Sequence, residues 1–465
     1  MDQRRLEELL KSINIHYVSN KGLFKKYIVK SISTDTRSLK RGELFIALKG
    51  EKYDAIHFVD RAVELGSTAV LFEIKSFEDI RKVINSHLNI LFIGVDNTLN
   101  AYSVMAKNYL NGFKNLKKLA ITGSCGKTTM RGLVASVLSE GYKTISSKKS
   151  YNNLIGVSKT IFSISNEHEF YIQEMGTNHP GEINDLVSIV NPDAGLITNI
   201  GPAHIGYFGN IENIAKEKKS LLLGLGGNGT AFINKDNSFA EFLGSNIEAE
   251  VIFYGIGGNE KINIKSIDLN RSVFSYEGNE IVLKLPGRHN IINAVGAISV
   301  GTRFGIPIDK IKKALEGYNP EEGRGFLIEV GGVIIIDESY NANPLSVKAS
   351  IDYLSELECE GKKIFIFGDM AELGEYSEKY HREVANYLEN ANIDFIFTIG
   401  KETLSTFEEV KNRIISELNH YYDTESLLEE LIKRLSRGDI VLVKGSRFMN
   451  LDRLIDNIIQ KLKHR

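Results

Sequence analysis

A chain of 465 residues, 42% of them hydrophobic, is long enough for two to four domains with separate cores. Its 57 Lys and Arg against 59 Asp and Glu leave a formal net charge of −2, which argues against a protein built mainly to hold nucleic acid by counterion release, though not against a local basic pocket for a phosphorylated ligand. Two cysteines, Cys125 and Cys359, are too few for a metal array or a disulfide framework, and no apolar run is long enough to span a membrane, so a cytoplasmic protein is expected.

The opening MDQRRLEELLKSI reads as an amphipathic helix without the apolar core of a leader peptide. Short apolar runs at Leu44 to Leu48, Ala69 to Phe72 and Ile90 to Val95 alternate with a helical pattern from Phe58 to Leu65, giving a small α/β domain over 1–112. A second domain, 113–316, opens with the strand KKLAIT, a Gly-rich turn and the helix MRGLVASVL. It continues through EFYIQEM and AGLITNI, an antiparallel ribbon over Val273 to Leu285 that turns at Gly278-Asn279, and the helix NIINAVGAISVGTRF. The third, 317–465, repeats strand–helix units: VIIIDES, KKIFIFGD, IDFIFTIG and DIVLVKGS, each followed by a helix. In the last of these helices Leu451, Leu454, Ile455, Ile458, Ile459 and Leu462 form one stripe. Strands alternating with helices imply a parallel sheet covered on both faces.

Chemistry enters at Gly123, Ser124, Cys125, Gly126, Lys127, Thr128 and Thr129, set between a strand and a helix. Glycines let the backbone turn so that successive N–H groups converge on phosphate oxygens, and the following helix directs its partly positive end to the same place. Lys127 supplies a mobile cation for the outer phosphates and Thr128 a hydroxyl for Mg²⁺. The loop is shorter than the common G-x-x-x-x-G-K-[ST], because Ile occupies position 121. By itself it would serve an ATPase, a GTPase or a kinase.

The blocks that follow narrow the choice. Tyr151-Asn152-Asn153, Glu174-Met-Gly176-Thr-Asn178-His179-Pro180-Gly181-Glu182, Asn199-Ile-Gly-Pro-Ala-His204, Pro286-Gly287-Arg288-His289-Asn290-Ile-Ile-Asn293, Asp337-Glu-Ser-Tyr340-Asn341-Ala342-Asn343-Pro344, Gly368-Asp369-Met370-Ala-Glu372-Leu373-Gly374 and Val443-Lys444-Gly445-Ser446-Arg447 occur in order. Taken singly, each is an ordinary turn former or rim residue. Together with the short T-G-x-x-G-K-T loop they resemble the Mur ligase family, and within it the branch that adds D-alanyl-D-alanine. The resemblance covers nearly the whole chain.

That resemblance implies a three-domain α/β architecture: a UDP-substrate domain, a central P-loop ATP-binding domain and a C-terminal Rossmann-like ligase domain. It implies ATP-driven ligation of D-alanyl-D-alanine to UDP-N-acetylmuramoyl-tripeptide through an acyl phosphate, in the peptidoglycan synthesis on which cell shape and division depend. A monomer is expected, with no nucleic-acid partner. Lys127, Glu174, His204, Lys218 and Arg324 would be catalytic. Thr128 and Glu174 would hold one Mg²⁺, and His204 with a carbamylated Lys218 would help hold a second. Asn290 and Asn293 would read the adenine edge, while Arg324, Asp337, Tyr340 and Asn341 would meet the nucleotide from the third domain. Thr36 and Arg37, in Ser33-Thr-Asp35-Thr36-Arg37-Ser38, would contact the uridine nucleotide, and Asn152 and Asn153 would face substrate. Two departures stand out: Asp54-Ala55-Ile56-His57 where the family continues D-G-H, and Lys218-Lys219-Ser220 where it has K-G-E-I. The competing readings are a folylpolyglutamate synthetase-like or cofactor amide ligase, a plain P-loop NTPase, and a non-catalytic nucleotide-binding scaffold. The D-T-R and F-I-A-L-K-G blocks ahead of the loop suit a UDP ligand and weigh against the first.

Overall fold

A computed structural model describes residues 1–50, 53–148, 151–257, 261–320, 326–411, 413 and 417–464. By its internal contacts the chain forms two compact units: Met1–Ala120, Tyr142–Thr177 and Glu182–Asp193 in one, and Ile121–Gly141, Asn178–Gly181 and Ala194–Arg465 in the other.

The first unit holds a five-stranded sheet in the order Ile15–Val18, Leu91–Val95, Ala69–Glu73, Leu44–Ile46, Ile32–Ser33. Its members pair in parallel except Ile15–Val18, which runs antiparallel to Leu91–Val95. The central runs AVLFE and LFIGV are buried at every position, as expected of strands covered on both faces. Phe45, Val59, Val70, Phe72 and Phe92 form the core between sheet and helices. The N-terminal helix is far shorter than its sequence pattern suggests, Leu6–Leu9. Tertiary bonds override propensity there: Arg4–Arg5 pairs antiparallel with Ile28–Val29, the Asp2 amide donates to the Tyr109 hydroxyl at 2.7 Å, and the Arg4 guanidinium lies over the Tyr109 ring at 5.4 Å. In the same unit Phe170–Glu174 pairs in parallel with Thr144–Ser146.

In the second unit Ala194–Ile197, Thr230–Asn234 and Glu250–Tyr254 pair in parallel, and the helix Arg288–Arg303 packs on Lys127–Ser139. The expected ribbon is present as Ser272–Tyr276 against Asn279–Leu283, with a third strand, Ile262–Ile267, that the sequence reading did not include. Its turn centres on Glu277-Gly278, one residue earlier than expected, because both hold positive φ (48° and 80°) as a two-residue hairpin turn of this hand requires.

The C-terminal sheet has six strands in the order Phe326–Val330, Val333–Glu338, Ile440–Lys444, Lys363–Gly368, Phe395–Ile399, Glu417–Tyr421. The four inner and right-hand pairings are parallel as expected. Phe326–Val330 is antiparallel to its neighbour, which corrects the all-parallel reading; Gly331 and Gly332, at φ of 60° and 78°, make the hairpin. The stripe on the last helix does face the core, where Leu451, Leu454, Ile455, Ile458 and Leu462 meet Ile364, Ile366, Phe397, Val441 and Val443. Three loops leave the C-terminal ends of adjacent strands, after Glu338, Gly368 and Lys444, and each carries one of the sequence blocks quoted above.

Phe397 is fully buried in this core. Phe397→Ala should therefore lower the stability of the C-terminal region by about 3–5 kcal/mol through lost transfer energy and a residual cavity. Urea unfolding followed by exchange of the amides in Lys363–Gly368 and Phe395–Ile399 measures it, and a loss below about 1 kcal/mol would contradict the packing described.

Candidate active site

The phosphate loop joins the strand Lys117–Thr122 to the helix Lys127–Ser139. Two of its positions require glycine. A Cβ on Gly123, at φ 152°, would stand 1.9 Å from Thr198 Oγ1, and Gly126, at φ 77°, caps the helix in the left-handed region with the Asn293 amide 3.2 Å from where a Cβ would be. The expectation that successive amides converge on phosphate is modified here. The Ser124 amide donates to the Asn199 carbonyl at 3.0 Å and the Cys125 amide to Asn199 Oδ1 at 2.8 Å, so one residue, through its backbone and its side chain, shapes the loop. Lys127 Nζ donates to the Gly123 carbonyl at 2.8 Å, folding the cation back over the loop, and the Thr128 side chain is buried.

Lys218 sits on the helix Ile211–Leu223 and is 2% exposed. Burial drives its amine well below the usual lysine range, the charge of Lys127 pushes the same way, and Glu217 opposes both. Glu217 accepts the Gly181 amide at 2.8 Å, fixing the Asn178–Gly181 loop to this helix. Its neighbour Lys219 is bonded elsewhere. The ammonium donates to the Phe242 carbonyl at 2.7 Å and to Ser245 Oγ at 3.1 Å, and lies 4.4 Å from the centre of the Phe242 ring. The departure from K-G-E-I at this residue is thus a tie to the Ala240–Gly244 helix.

His204 has φ 59°, and its Nδ1 lies 2.5 Å from Glu372 Oε2. His204 holds the Glu372 carboxyl below the usual carboxylate range against the effect of burial, and His179 adds to it. Asn343 caps the helix Pro344–Glu356 and donates its amide to the Ser124 carbonyl at 3.3 Å. Asp337 accepts from the amide and hydroxyl of Ser339, at 2.9 and 2.7 Å, and Asn341 accepts at its carbonyl from the buried Lys444 ammonium at 2.6 Å. Tyr340 is exposed. Asn293 lies against the phosphate loop, whereas the Asn290 amide donates to the Pro286 carbonyl at 2.7 Å. Arg324 lies outside the described residues.

The other expected residues belong to the first unit. Glu174, 1% exposed at the end of its strand, accepts the Asn152 amide at 2.9 Å. Asn153 caps the helix Leu154–Ile161. Arg37 is outermost and forks onto Asp35 at 2.7 to 3.1 Å, which holds the Asp35 carboxyl down at about 2. Thr36 lies between them. In the departing segment Asp54 has a local role, capping the turn Ala55–Phe58.

No group of three or more His, Cys, Asp or Glu among the described residues forms a metal cage. The donor chemistry still suits Mg²⁺, which takes hard oxygens, keeps waters and is commonly held through substrate phosphates with one or two carboxylates. The sequence reading passed over Asn199, Glu372 and Lys444 as individual residues. All three lie inside blocks it had quoted, and what marks them out, burial and cross-loop bonding, is set by tertiary structure.

The chain is similar to proteins of known family along nearly its whole length. Residues 121–301 match the Mur ligase middle domain and 323–447 the Mur ligase, glutamate ligase domain. The chain is 34% identical to the UDP-N-acetylmuramoyl-tripeptide–D-alanyl-D-alanine ligase of Bacillus subtilis over 94% of both chains, and 32% identical to that of Escherichia coli over 91% of this chain and 92% of the other. Among solved structures it is similar to MurF from Acinetobacter baumannii, with a TM-score of 0.89, 26% identity and 99% of each chain covered. MurF ligase from Thermotoga maritima in complex with ADP shares the fold, with a TM-score of 0.80, 24% identity and 94% and 99% covered.

The loop that carries Glu372 rests on His381, which is fully buried. Its Nε2 accepts the Met370 amide at 3.0 Å and its Nδ1 donates to the Ser377 carbonyl at 2.8 Å. This bonding needs a neutral ring, and burial lowers the ring's pKa below that of a free histidine. The stabilisation is complete above the unfolded value of about 6.5 and is lost as pH falls toward the lower folded value. Stability measured by denaturant from pH 8 to 5 should fall below about pH 6.5 in the wild type and less steeply in His381→Gln. Equal slopes would refute the assignment.

Proposed function

Because the chain belongs to the Mur ligase family, we propose that it joins D-alanyl-D-alanine to the terminal carboxylate of UDP-N-acetylmuramoyl-tripeptide, driven by ATP, in peptidoglycan precursor synthesis in the cytoplasm. The observation that carries this reading is the likeness, along nearly the whole of both chains, to ligases named for that pair of substrates. The reading keeps three domains, 1–112, 113–316 and 317–465, and a monomer.

In this reaction the substrate carboxylate takes the γ-phosphoryl group of ATP. The amine of the dipeptide attacks the acyl phosphate, and amide, ADP and phosphate result. An anion must therefore approach a polyanion, so the task is positioning and positive charge rather than covalent catalysis. Lys127 is the mobile cation: its ammonium donates to the Gly123 carbonyl, a contact that phosphate oxygens would replace. Asn199 and the two glycines hold the loop in shape beforehand. One Mg²⁺ would be held at Thr128 and Glu174 and a second at His204 and a carbamylated Lys218, and both would neutralise phosphate charge when bound. Lys218 fits the carbamate reading because an amine driven toward its neutral form is the form that takes up carbon dioxide. Asn290, Asn293, Asp337, Tyr340, Asn341 and Arg324 are assigned to the nucleotide, and Thr36, Arg37, Asn152 and Asn153 to the UDP-linked substrate, on the motifs that carry them.

Mass spectrometry of the product from ATP, UDP-linked tripeptide and D-alanyl-D-alanine should give the pentapeptide, with phosphate release requiring all three substrates; release without either acceptor would favour a plain NTPase. Lys127→Ala should fold normally and lose about 10²–10³-fold in kcat, the scale of one lost charge-stabilising donor. Near wild-type turnover would refute the role of the loop.

Lys218→Ala should likewise be inactive, and short carboxylates such as acetate should restore part of the rate by standing where the carbamate oxygens would be. Intact-mass measurement of the gently handled wild type for an added carboxyl group provides a second readout. Unimpaired activity of the unsupplemented variant would dismiss a catalytic Lys218.

A further inference from the structure

Seven non-glycine residues among those described hold a positive φ, and two of them, His204 at 59° and Glu372 at 63°, face each other. Side chains in this region persist where the surroundings fix them. Here each residue helps fix the other. Besides the 2.5 Å approach of Glu372 Oε2 to His204 Nδ1, the Gly206 amide donates to the Glu372 carbonyl at 3.1 Å, so Glu372 is engaged at both its side chain and its backbone. Two glycines allow the segments to come this close. A Cβ on Gly206 would stand 2.7 Å from the Gly374 nitrogen, and one on Gly374 would stand 2.9 Å from Gly206 Cα.

The loop behind Glu372 is not free to follow the histidine. Asp369 accepts the amides of Lys401, Glu402 and Thr403 at 3.0, 3.0 and 2.9 Å, and the Met370 and Ala371 amides donate to His381 at 3.0 Å and Ser446 at 2.8 Å. The carboxylate is thus a fixed point against which the His204 ring is set. A carboxylate at one ring nitrogen keeps the proton there, defines the ring plane and leaves the other nitrogen as the one that acts.

We propose that Glu372 is a positioning residue for the ligation: through Nδ1 it sets the plane and proton position of the His204 ring and thereby presents Nε2 to the reaction. The proposal rests on the assignment of His204 to the reaction made above. It assigns to the acidic residue of Gly368-Asp369-Met370-Ala-Glu372-Leu373-Gly374 a task distinct from that of Asp369, which braces its own loop.

The test is Glu372→Gln, which keeps the shape and removes the charge. We expect kcat to fall about 10- to 100-fold, the usual effect of removing a partner that orients an active histidine, with KM for ATP nearly unchanged and an unaltered unfolding midpoint. In protein labelled with ¹⁵N-histidine, the ring resonances of His204, identified by their loss in His204→Asn, should shift in Glu372→Gln. The kinetic effect of Glu372→Gln should also vanish in a His204→Asn background. Wild-type kcat with unshifted ring resonances would overturn the proposal, and so would a loss that persists undiminished when His204 is already replaced. A fully active His204→Asn would instead remove the assignment on which the proposal stands; the ring resonances, which need no turnover, would still decide whether Glu372 sets the ring.

Discussion

The arrangement around the phosphate loop follows from the cost of keeping two ammonium groups near each other when one of them is out of water. Lys218 is almost fully buried, and the charge of Lys127 acts on it. Burial and like charge both disfavour a second cation, so Lys218 is pushed toward the neutral amine. A chain of consequences follows. Lys127 needs an acceptor and finds the Gly123 carbonyl. Gly123 must lack a side chain because Thr198 occupies the space. Thr198 in turn donates to the Cys125 carbonyl at 2.6 Å, and Asn199 takes the adjacent amides. The loop is held by its own polar contacts, so its shape does not have to be assembled by the nucleotide, which lowers the ordering cost of binding.

The C-terminal sheet supplies the other half of this geometry. Its strands Val333–Glu338, Ile440–Lys444 and Lys363–Gly368 lie side by side, so the three loops that leave their C-terminal ends are neighbours although up to about a hundred residues apart in sequence. Buried charges link them. Lys444 reaches the Asn341 carbonyl at 2.6 Å and lies 3.6 Å from Glu338 Oε2, while the Ser446 amide donates to the Asp369 carbonyl at 3.1 Å. An ammonium this deep needs its partners, since an unpaired buried charge is far more costly than the pair. The apolar sheet core beneath gives these loops a base that does not shift, as a site built on turns requires.

Much of this was legible in the sequence, for reasons that differ from element to element. The strands at Ala69, Lys117, Val333 and Ile440 could be read because they are buried runs with clear turn signals on either side. The phosphate loop could be read because glycine at φ 152° and 77° is dictated by sterics that few other residues meet. The N-terminal helix was overread because its periodicity is real, whereas Arg4–Arg5 is taken by a strand partner more than twenty residues away. The hairpin that opens the C-terminal sheet was missed as an antiparallel edge although Gly331-Gly332 announces a tight turn. Glu372, Asn199 and Lys444 could not be singled out from their blocks, because what distinguishes them is the residue each meets across the fold. Lys219 looked like a defect in the lysine motif; on a helix, adjacent residues point about 100° apart, so it serves a different neighbour from Lys218.

The contacts between the middle region, 121–301, and the C-terminal region that begins at 323 are of a particular kind. They include the Asn343 amide on the Ser124 carbonyl, Glu372 on His204 and on the Gly206 amide, the Tyr353 hydroxyl on the Leu269 carbonyl at 2.5 Å, and the Leu345 side chain over Gly201, where a Cβ would stand 2.1 Å from it. They are few and largely polar, and they are made by turn residues and by one face of the helix Pro344–Glu356, which carries Leu345 and Tyr353. Contacts of this sort resemble transient interfaces between domains more than a shared core, and they can separate without exposing a large apolar face. A ligase that makes an acyl phosphate must exclude water during the reaction and yet release a bulky product. Turn-borne polar contacts serve both needs, since hydrogen bonds lost on opening are replaced by water. That accounts for a physical oddity of the sequence. The blocks that most identify the chain, Ser-Tyr-Asn-Ala-Asn-Pro and Gly-Asp-Met-Ala-Glu-Leu-Gly, look like ordinary turn formers because turns are where two regions can meet closely and still part.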